Sequence, residues 1–258
     1  MKGVILAGGT GSRLYPLTKV TNKHLLPVGR YPMICYPVAK LAEAGIREIL
    51  VVTGTEHVGS VVGTLGSGHD LGLEFTYRVQ DAAGGIAEAL SLARDFVDGG
   101  PFVVVLGDNI FEDSLNEFVA RYREQGTGAR VLLKQVPDPE RYGVPEIVNG
   151  RITRIEEKPT HPKSSFCVTG IYMYDRVAME AVRTLKRSSR GELEITDVNN
   201  AYAERGLLRH DVLAGWWTDA GTFPSLAHAN RLASGLSLHA FDRAARRDAG
   251  NERRSLPM

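Results

Sequence analysis

Residues 2–27 read KGVILAGGTGSRLYPLTKVTNKHLLP. A short apolar run, Gly3-Val4-Ile5-Leu6, leads straight into Ala7-Gly8-Gly9-Thr10-Gly11-Ser12-Arg13. Glycines placed directly after an apolar strand bring bare backbone N–H groups against phosphate oxygens. They can do so because glycine accepts unusual dihedrals and leaves no Cβ between backbone and ligand. Arg13 and Lys23 add two fixed positive charges at the mouth of that loop.

Outward from this stretch, strands and helices alternate. The spacing of Met33, Ile34, Tyr36, Val38, Leu41 and Ala42 predicts a helix over 30–44, with Pro32 near its start. Strands are expected at 48–53, 73–79, 102–106 and 129–135, and helices at 58–65, 86–96 and 115–125. Strands separated by helices of this length imply right-handed crossovers and a mostly parallel sheet. Ligands of such sheets sit outside the carboxyl ends of the strands. The glycine loop, Gln80 and Asp108 each lie just past such an end, so they are expected to converge.

From Arg141 the rhythm changes. Short strands at 146–148, 151–157 and 168–174 lack full crossover helices between them, which predicts a smaller, partly antiparallel lobe over the active edge of the sheet. Helices at 177–186 and 195–205, a strand at 208–214 and a last helix at 222–233 return the chain to the core. The expected division is one domain over 1–235, with a nucleotide-binding half to about 140, a lobe over 141–213 and a return over 214–235. Residues 236–258, with Arg243, Arg246, Arg247, Arg253 and Arg254, read as a basic, solvated or frayed tail; a partner-binding tail is the alternative.

Composition narrows the function. The 31 lysines and arginines nearly balance the 30 aspartates and glutamates, so overall charge points neither to nucleic acid nor to a membrane surface. No run approaches the roughly 20 apolar residues of a membrane span, and 3–7 is too short for a signal segment. Cys35 and Cys167 lie far apart without metal-ligand spacing and read as small buried residues of a cytoplasmic protein.

Two better-known glycine loops do not fit. A Walker A loop ends in Gly-Lys-Ser/Thr, whereas Gly11 is followed by Ser12-Arg13. A dinucleotide fingerprint begun at Gly9 would need glycine where Leu14 stands. Gly8-Gly9-Thr10-Gly11-Ser12-Arg13-Leu14 with Lys23-His24-Leu25-Leu26-Pro27 instead resembles, without a gap, the signature of sugar-1-phosphate nucleotidylyltransferases. The resemblance continues over about residues 2–232 and is greatest to the short thymidylyltransferases. It implies a Rossmann-like α/β fold of the nucleotide-diphospho-sugar transferase type, with a sugar-binding lobe.

Several further stretches carry the resemblance. Asp108, in Leu106-Gly107-Asp108-Asn109, and Asp219, in Trp216-Trp217-Thr218-Asp219-Ala220-Gly221-Thr222, stand where that family holds two magnesium ligands. The chemistry agrees, since a carboxylate at a strand tip beside phosphates needs a cation between them. Magnesium takes one or two carboxylates together with phosphate oxygens. Glu156-Glu157-Lys158-Pro159 is similar to the family's E-E-K-P, implying that Lys158 holds the sugar phosphate and Glu157 accepts from sugar hydroxyls. Tyr142, Gly143, Val168, Gly170, Tyr172 and Arg190 fall at family positions around the sugar and its phosphate. Leu6, Gly8, Gly9, Thr10, Gly11, Ser12, Arg13, Gln80, Gly85 and Asp108 fall at nucleotide-binding ones. A primary amide at Gln80 offers the donor and acceptor that thymine or uracil requires.

The resemblance therefore implies a magnesium-dependent transfer from dTTP to glucose 1-phosphate, with Arg13, Lys23, Asp108 and Lys158 carrying the reaction in a cytoplasmic dimer or tetramer. Uridylyl transfer, or transfer to another sugar 1-phosphate, remains open. So does a catalytically silent nucleotide-sugar-sensing domain. The sequence departs from the family at 81–85, at Glu88, where glutamine is common, and at Pro145. The chain ends before the extra C-terminal helices of longer members, so their regulatory nucleotide site is not expected.

Overall fold

The computed structural model describes residues 1–244. In chain order the elements are β1 (Lys2–Ala7), the short β2 (Pro27–Val28) and β3 (Tyr31–Pro32), α1 (Cys35–Glu43), β4 (Glu48–Gly54), α2 (Val58–Leu65) and β5 (Glu74–Gln80). There follow α3 (Ile86–Ser91), α4 (Arg94–Val97), β6 (Phe102–Leu106), β7 (Asn109–Phe111), α5 (Asn116–Gln125) and β8 (Ala129–Gln135). The second half holds β9 (Gly143–Val148), β10 (Arg151–Glu157), β11 (Phe166–Tyr174), α6 (Val177–Thr184), α7 (Ile195–Glu204), β12 (Leu208–Val212), β13 (Trp217–Asp219) and α8 (Phe223–Leu232).

β1 lies at the heart of the sheet. It runs parallel to β4 on one side and to β6 on the other, with Ile5 opposite both Val51 and Val105. Because side chains alternate across a strand, Val4 and Leu6 pack into one apolar layer while Ile5 and Ala7 pack into the other. Helices α1, α2, α5 and α8 cover the Ile5 face, and α3, α4, α6 and α7 the Val4 face. Burial on both faces is why β1 reads as an unbroken apolar run and not as an alternating one.

Among the described residues nine strands form one mixed sheet, in the order β10-β9-β11-β6-β1-β4-β5, with β8 pairing β11 and β12. The partly antiparallel lobe expected over the active edge is continuous with the sheet, which it extends through β9, β10 and β11. β11 runs antiparallel to β6, to β8 and to β9; its register against β8 shifts between Val168 and Tyr172, where its other edge passes from β9 to β6. β8, expected to close the parallel series, lies beyond β11 and runs parallel only to β12.

Three local expectations change. Residues 30–34 do not begin the helix: Tyr31–Pro32 pairs with Pro27–Val28 across a turn in which Gly29 adopts a φ of 57°. The 86–96 helix is two pieces, α3 and α4, divided where Leu92 and Ala93 bond three residues back, to Ala89 and Leu90. The third change concerns the tail. Leu238 is 7% exposed, and its N–H donates to the Tyr31 hydroxyl at 3.1 Å. The same hydroxyl donates to Asp242 at 2.5 Å, while Phe241 packs against the core. The first turn of the expected frayed tail is therefore docked, while Arg246, Arg247, Arg253 and Arg254 lie outside the described residues.

Docking of this segment makes a stability prediction. Leu238→Ala should lower the urea unfolding free energy by about 2 kcal/mol, the low end for a buried leucine near a core's edge. An unmoved midpoint would mean that the segment does not pack.

Candidate active site

The glycine loop departs from the end of β1 with Gly8 and Gly9. Gly11 has a φ of 66°, and a Cβ there would stand 2.7 Å from Thr18 Cγ2, so both conformation and space demand glycine. The Thr18 hydroxyl donates to the Gly11 carbonyl at 3.0 Å and closes the loop over the single turn Ser12–Leu14. Gly8 lies against Gln80: a Cβ would come 2.6 Å from Gln80 Oε1. Gln80 itself ends β5 and is 7% exposed.

The two aspartates, 111 positions apart in sequence, are brought together by a small ribbon. β7 and β13 pair antiparallel with Asp219 opposite Asn109, and the Ala220 N–H donates to the Asp108 carbonyl at 2.8 Å. Asn109 anchors the ribbon to the sheet. Its Oδ1 accepts from the Gly170 N–H and from the Trp217 indole N–H, both at 2.8 Å, and its Nδ2 donates to Asp108 Oδ1 at 3.1 Å. A Cβ added at Gly221 would lie 3.5 Å from one oxygen of each aspartate and 3.1 Å from the Arg13 guanidinium. Glycine at 221 therefore leaves room where these three groups meet.

Their electrostatics differ. Burial pushes the Asp108 carboxyl up, but the Lys23 ammonium, bonded at 2.6 Å, outweighs it with help from His24 and the Asn109 amide, and Asp108 is held below the usual carboxylate range. Asp219 goes the other way. Burial and the neighbouring Asp108 raise it, against the Tyr142 hydroxyl bond at 2.9 Å, Arg141 and Arg13. Two carboxylates side by side, Asp108 buried and Asp219 half-buried and incompletely compensated, form a centre of negative charge facing the cleft.

On the opposite wall, Lys158 follows β10 with a φ of 47°, unusual for a residue with a side chain, and its N–H donates to the Tyr142 carbonyl at 2.9 Å. Glu157 accepts from the Thr196 hydroxyl at 2.6 Å, and its other oxygen lies 3.7 Å from Lys158 and 3.6 Å from Arg190. Arg190 is gripped by Glu194, at 2.8 and 2.9 Å, and by Glu192 at 3.1 Å. Gly170 has no room for a Cβ, which would meet Asn109 Nδ2 at 2.6 Å.

Between these walls lies a cleft of about 390 Å³. The nucleotide-side expectations (Leu6, Gly8 to Arg13, Lys23, Gln80, Gly85, Asp108), the sugar-side ones (Tyr142, Gly143, Glu157, Lys158, Val168, Gly170, Tyr172, Arg190) and Asp219 all line it. The pattern of the Nucleotidyl transferase family matches residues 2–234. The chain belongs to that family.

A Neisseria meningitidis protein named glucose-1-phosphate thymidylyltransferase is 47% identical over 233 residues, covering 89% of this chain and 81% of its own. A crystal structure of a Bacillus anthracis protein described as a glucose-1-phosphate thymidylyltransferase, in complex with a sucrose, is 59% identical. It has a TM-score of 0.89 and spans 92% of this chain and 96% of that one. A UDP-glucose pyrophosphorylase structure, 24% identical, has a TM-score of 0.80 over 90% of this chain and 97% of its own, a likeness of fold.

Within this nucleotidyl transferase, sequence reasoning missed several contributors. Arg141, 3.4 Å from Asp219 and 2.6 Å from Asp138, had no motif to mark it. Asn22 was equally silent: its Oδ1 lies 2.8 Å from His24 Nδ1 and accepts from the His24 N–H at 2.9 Å, and its amide reaches Ala7 and Thr53. His24 reads as structural in the sequence, alternating into an apolar run, and it is buried against Gly107, where a Cβ would come within 2.7 Å.

Burial, then the Lys23 ammonium, lower the His24 imidazole to about 3, against the opposing pull of Asp108. The imidazole is therefore neutral in the fold at neutral pH, and with its basicity so lowered it is a poor proton acceptor. Unfolded, it would bind a proton below its ordinary value of 6.5. Stability is thus full above that value and is lost progressively as pH falls from 6.5 towards 3. Between pH 7 and pH 5 this one group should cost about 2 kcal/mol, at about 1.4 kcal/mol per pH unit. Urea melts of His24→Gln at both pH values should show that much less pH dependence than the wild type, and equal slopes would refute a buried neutral imidazole.

Proposed function

We propose that this nucleotidyl transferase moves a deoxythymidylyl group from dTTP to α-D-glucose 1-phosphate, giving dTDP-glucose and pyrophosphate. The observation that carries the reading is the meeting of Arg13, Asp108 and Asp219 around Gly221, at the end of the glycine loop. Lys158 and Arg190 stand on the other wall of the same cleft. Support for the choice of nucleotide and sugar comes from relatives named for that reaction at 45–47% identity. A silent sensing domain would be expected to have lost Arg13, Lys23, Asp108 or Asp219, and all four face the cleft.

In the mechanism these residues support, an oxygen of the sugar phosphate attacks the α-phosphorus of dTTP. A new P–O bond forms there as the bond to the bridging oxygen of the β-phosphate breaks, and pyrophosphate leaves with that electron pair. The attacking oxygen is already ionised, so no general base is needed, in keeping with the neutral, buried His24. Lys158 and Arg190 hold the incoming phosphate, the loop N–H groups and Arg13 hold the triphosphate and the departing pyrophosphate, and Lys23 answers charge building on the α-phosphate. Tyr142, Gly143, Val168, Gly170, Tyr172 and Glu157 shape the sugar's place. Gln80 and the backbone at Gly85 read the base.

The donor set fits Mg2+. Among the described residues no group of three or more His, Cys, Asp or Glu gathers to hold a metal alone. Magnesium is the ion that completes one or two carboxylates with phosphate oxygens and water. Asp108 and Asp219 would hold it, and it would supply positive charge against that building on the reacting phosphates. The reading extends to a cytoplasmic homodimer or tetramer, and no described helix is long and apolar enough to cross a membrane.

Pyrophosphate release with Mg2+ and glucose 1-phosphate, compared across dTTP, UTP, CTP, ATP and GTP, tests the proposal. A clear dTTP preference is expected, with some turnover of UTP, because a single methyl is worth only about 1–3 kcal/mol in an apolar pocket. Release with no nucleotide at all would favour the silent domain. Asp219→Asn separates function from folding. Turnover should fall at least about 100-fold, as for other removed charge-stabilising groups. Thermal stability should hold or rise, because the amide sheds a charge that burial and Asp108 oppose.

A further inference from the structure

We propose that Glu88 is a positioning residue that fixes which way round the Gln80 amide faces, and that it thereby excludes cytidine nucleotides. The inference rests on the reading of Gln80 as the base-recognising residue.

Gln80 Nε2 donates to Glu88 Oε1 at 3.3 Å. A primary amide is nearly symmetric in shape, so its oxygen and nitrogen can exchange places by a half-turn unless a neighbour tells them apart. A carboxylate does so, because it only accepts: the Gln80 atom facing Glu88 has to be the nitrogen. Arg187 pairs with Glu88 Oε2 at 2.6 Å and so holds the carboxylate in place. Arg187 is itself held by the Gly191 carbonyl at 2.7 Å. The arrangement needs Gly84, since a Cβ there would fall 1.9 Å from Glu88 Oε2. On the other side of the amide, Oε1 rests where a Cβ of Gly8 would fall, 2.6 Å away. The amide is thus gripped between the glycine loop and an acceptor, on a residue that is itself buried.

With this orientation, Gln80 offers the base its carbonyl oxygen and its remaining amide hydrogen. Thymine and uracil present an N3–H donor and an O4 acceptor, which match. Cytosine presents an N3 acceptor and an N4 amino donor, which match only the reversed amide. Reversal would set Gln80 Oε1 against the Glu88 carboxylate, two acceptors with no proton between them. Base choice is therefore written partly in a residue that does not itself need to touch the base. Glutamine at 88 would bring a donor as well as an acceptor to this place, and so would no longer by itself require the Gln80 nitrogen to face it.

The test is the ratio of kcat/KM for CTP to that for dTTP, with glucose 1-phosphate and Mg2+, in the wild type, Glu88→Gln, Glu88→Ala and Gln80→Ala. Both Glu88 variants should raise the ratio by roughly tenfold or more, the worth of one orienting hydrogen bond. The alanine variant gives the same reading should the glutamine variant fail to fold. A lower dTTP rate with an unchanged ratio would reduce Glu88 to a structural brace and overturn the inference. If Gln80→Ala alone changes the ratio, base reading by Gln80 stands and the role of Glu88 falls. If none of the variants changes it, the base-reading assignment fails and takes the inference with it.

Discussion

The site depends on one side chain that touches no substrate in the proposed mechanism. Asn109 gives its carbonyl oxygen to the Gly170 N–H of β11 and to the Trp217 indole of β13, and its amide to Asp108. Three elements and a carboxylate are thereby fixed to one another by a single buried residue. Every partner is itself buried, so losing one bond would strand a polar group at a cost of about 1–3 kcal/mol. The edge-to-face contact of Tyr142 with Trp217, at 5.4 Å, carries the same rigidity across to the opposite wall.

Charge in the cleft is organised in balanced pairs. Lys23 answers Asp108, Arg141 answers Asp138 and Asp219, and Arg190 answers Glu194 and Glu192. Lys23, Lys158 and Arg190, three of the cations assigned to a phosphate in the proposed mechanism, thus each have a carboxylate neighbour that fixes their direction. An ammonium or guanidinium held by a partly buried partner loses less freedom on meeting a phosphate than one extended into water. The balanced arrangement also keeps these cations from being isolated in a low-dielectric wall, where they would be costly.

Much of this was legible in the sequence because it is local. Strands β6, β8 and β10 and helix α2 occupy the expected residues, each being an apolar or periodic run long enough to declare itself. The glycine loop, Gly-Asp-Asn and Glu-Glu-Lys-Pro carried their residues to the cleft for the same reason. What was hidden is non-local or short. β7 and β13 have three residues each, too few for a period, yet their pairing joins the two aspartates. The direction of β11 was not readable either, since a strand buried on both faces looks the same whether its neighbours run with it or against it. Glu88 and Arg187 lie 99 positions apart, and only folding reveals them as a pair.

The central place of β1 also constrains the order in which the molecule can form. Its two neighbours come from residues 49–53 and 102–106, so the strand that delivers the glycine loop has no partner on its second side until more than a hundred residues exist. The bond from Leu238 back to Tyr31 spans 207 positions. Contacts of such long range close large loops before they gain anything, which makes folding slow compared with that of helical bundles. During synthesis the first strand must therefore wait, with one apolar edge open, for chain that has not yet left the ribosome. The loop that would grip a nucleotide is a late product of folding, although it is encoded ahead of the strands that hold it.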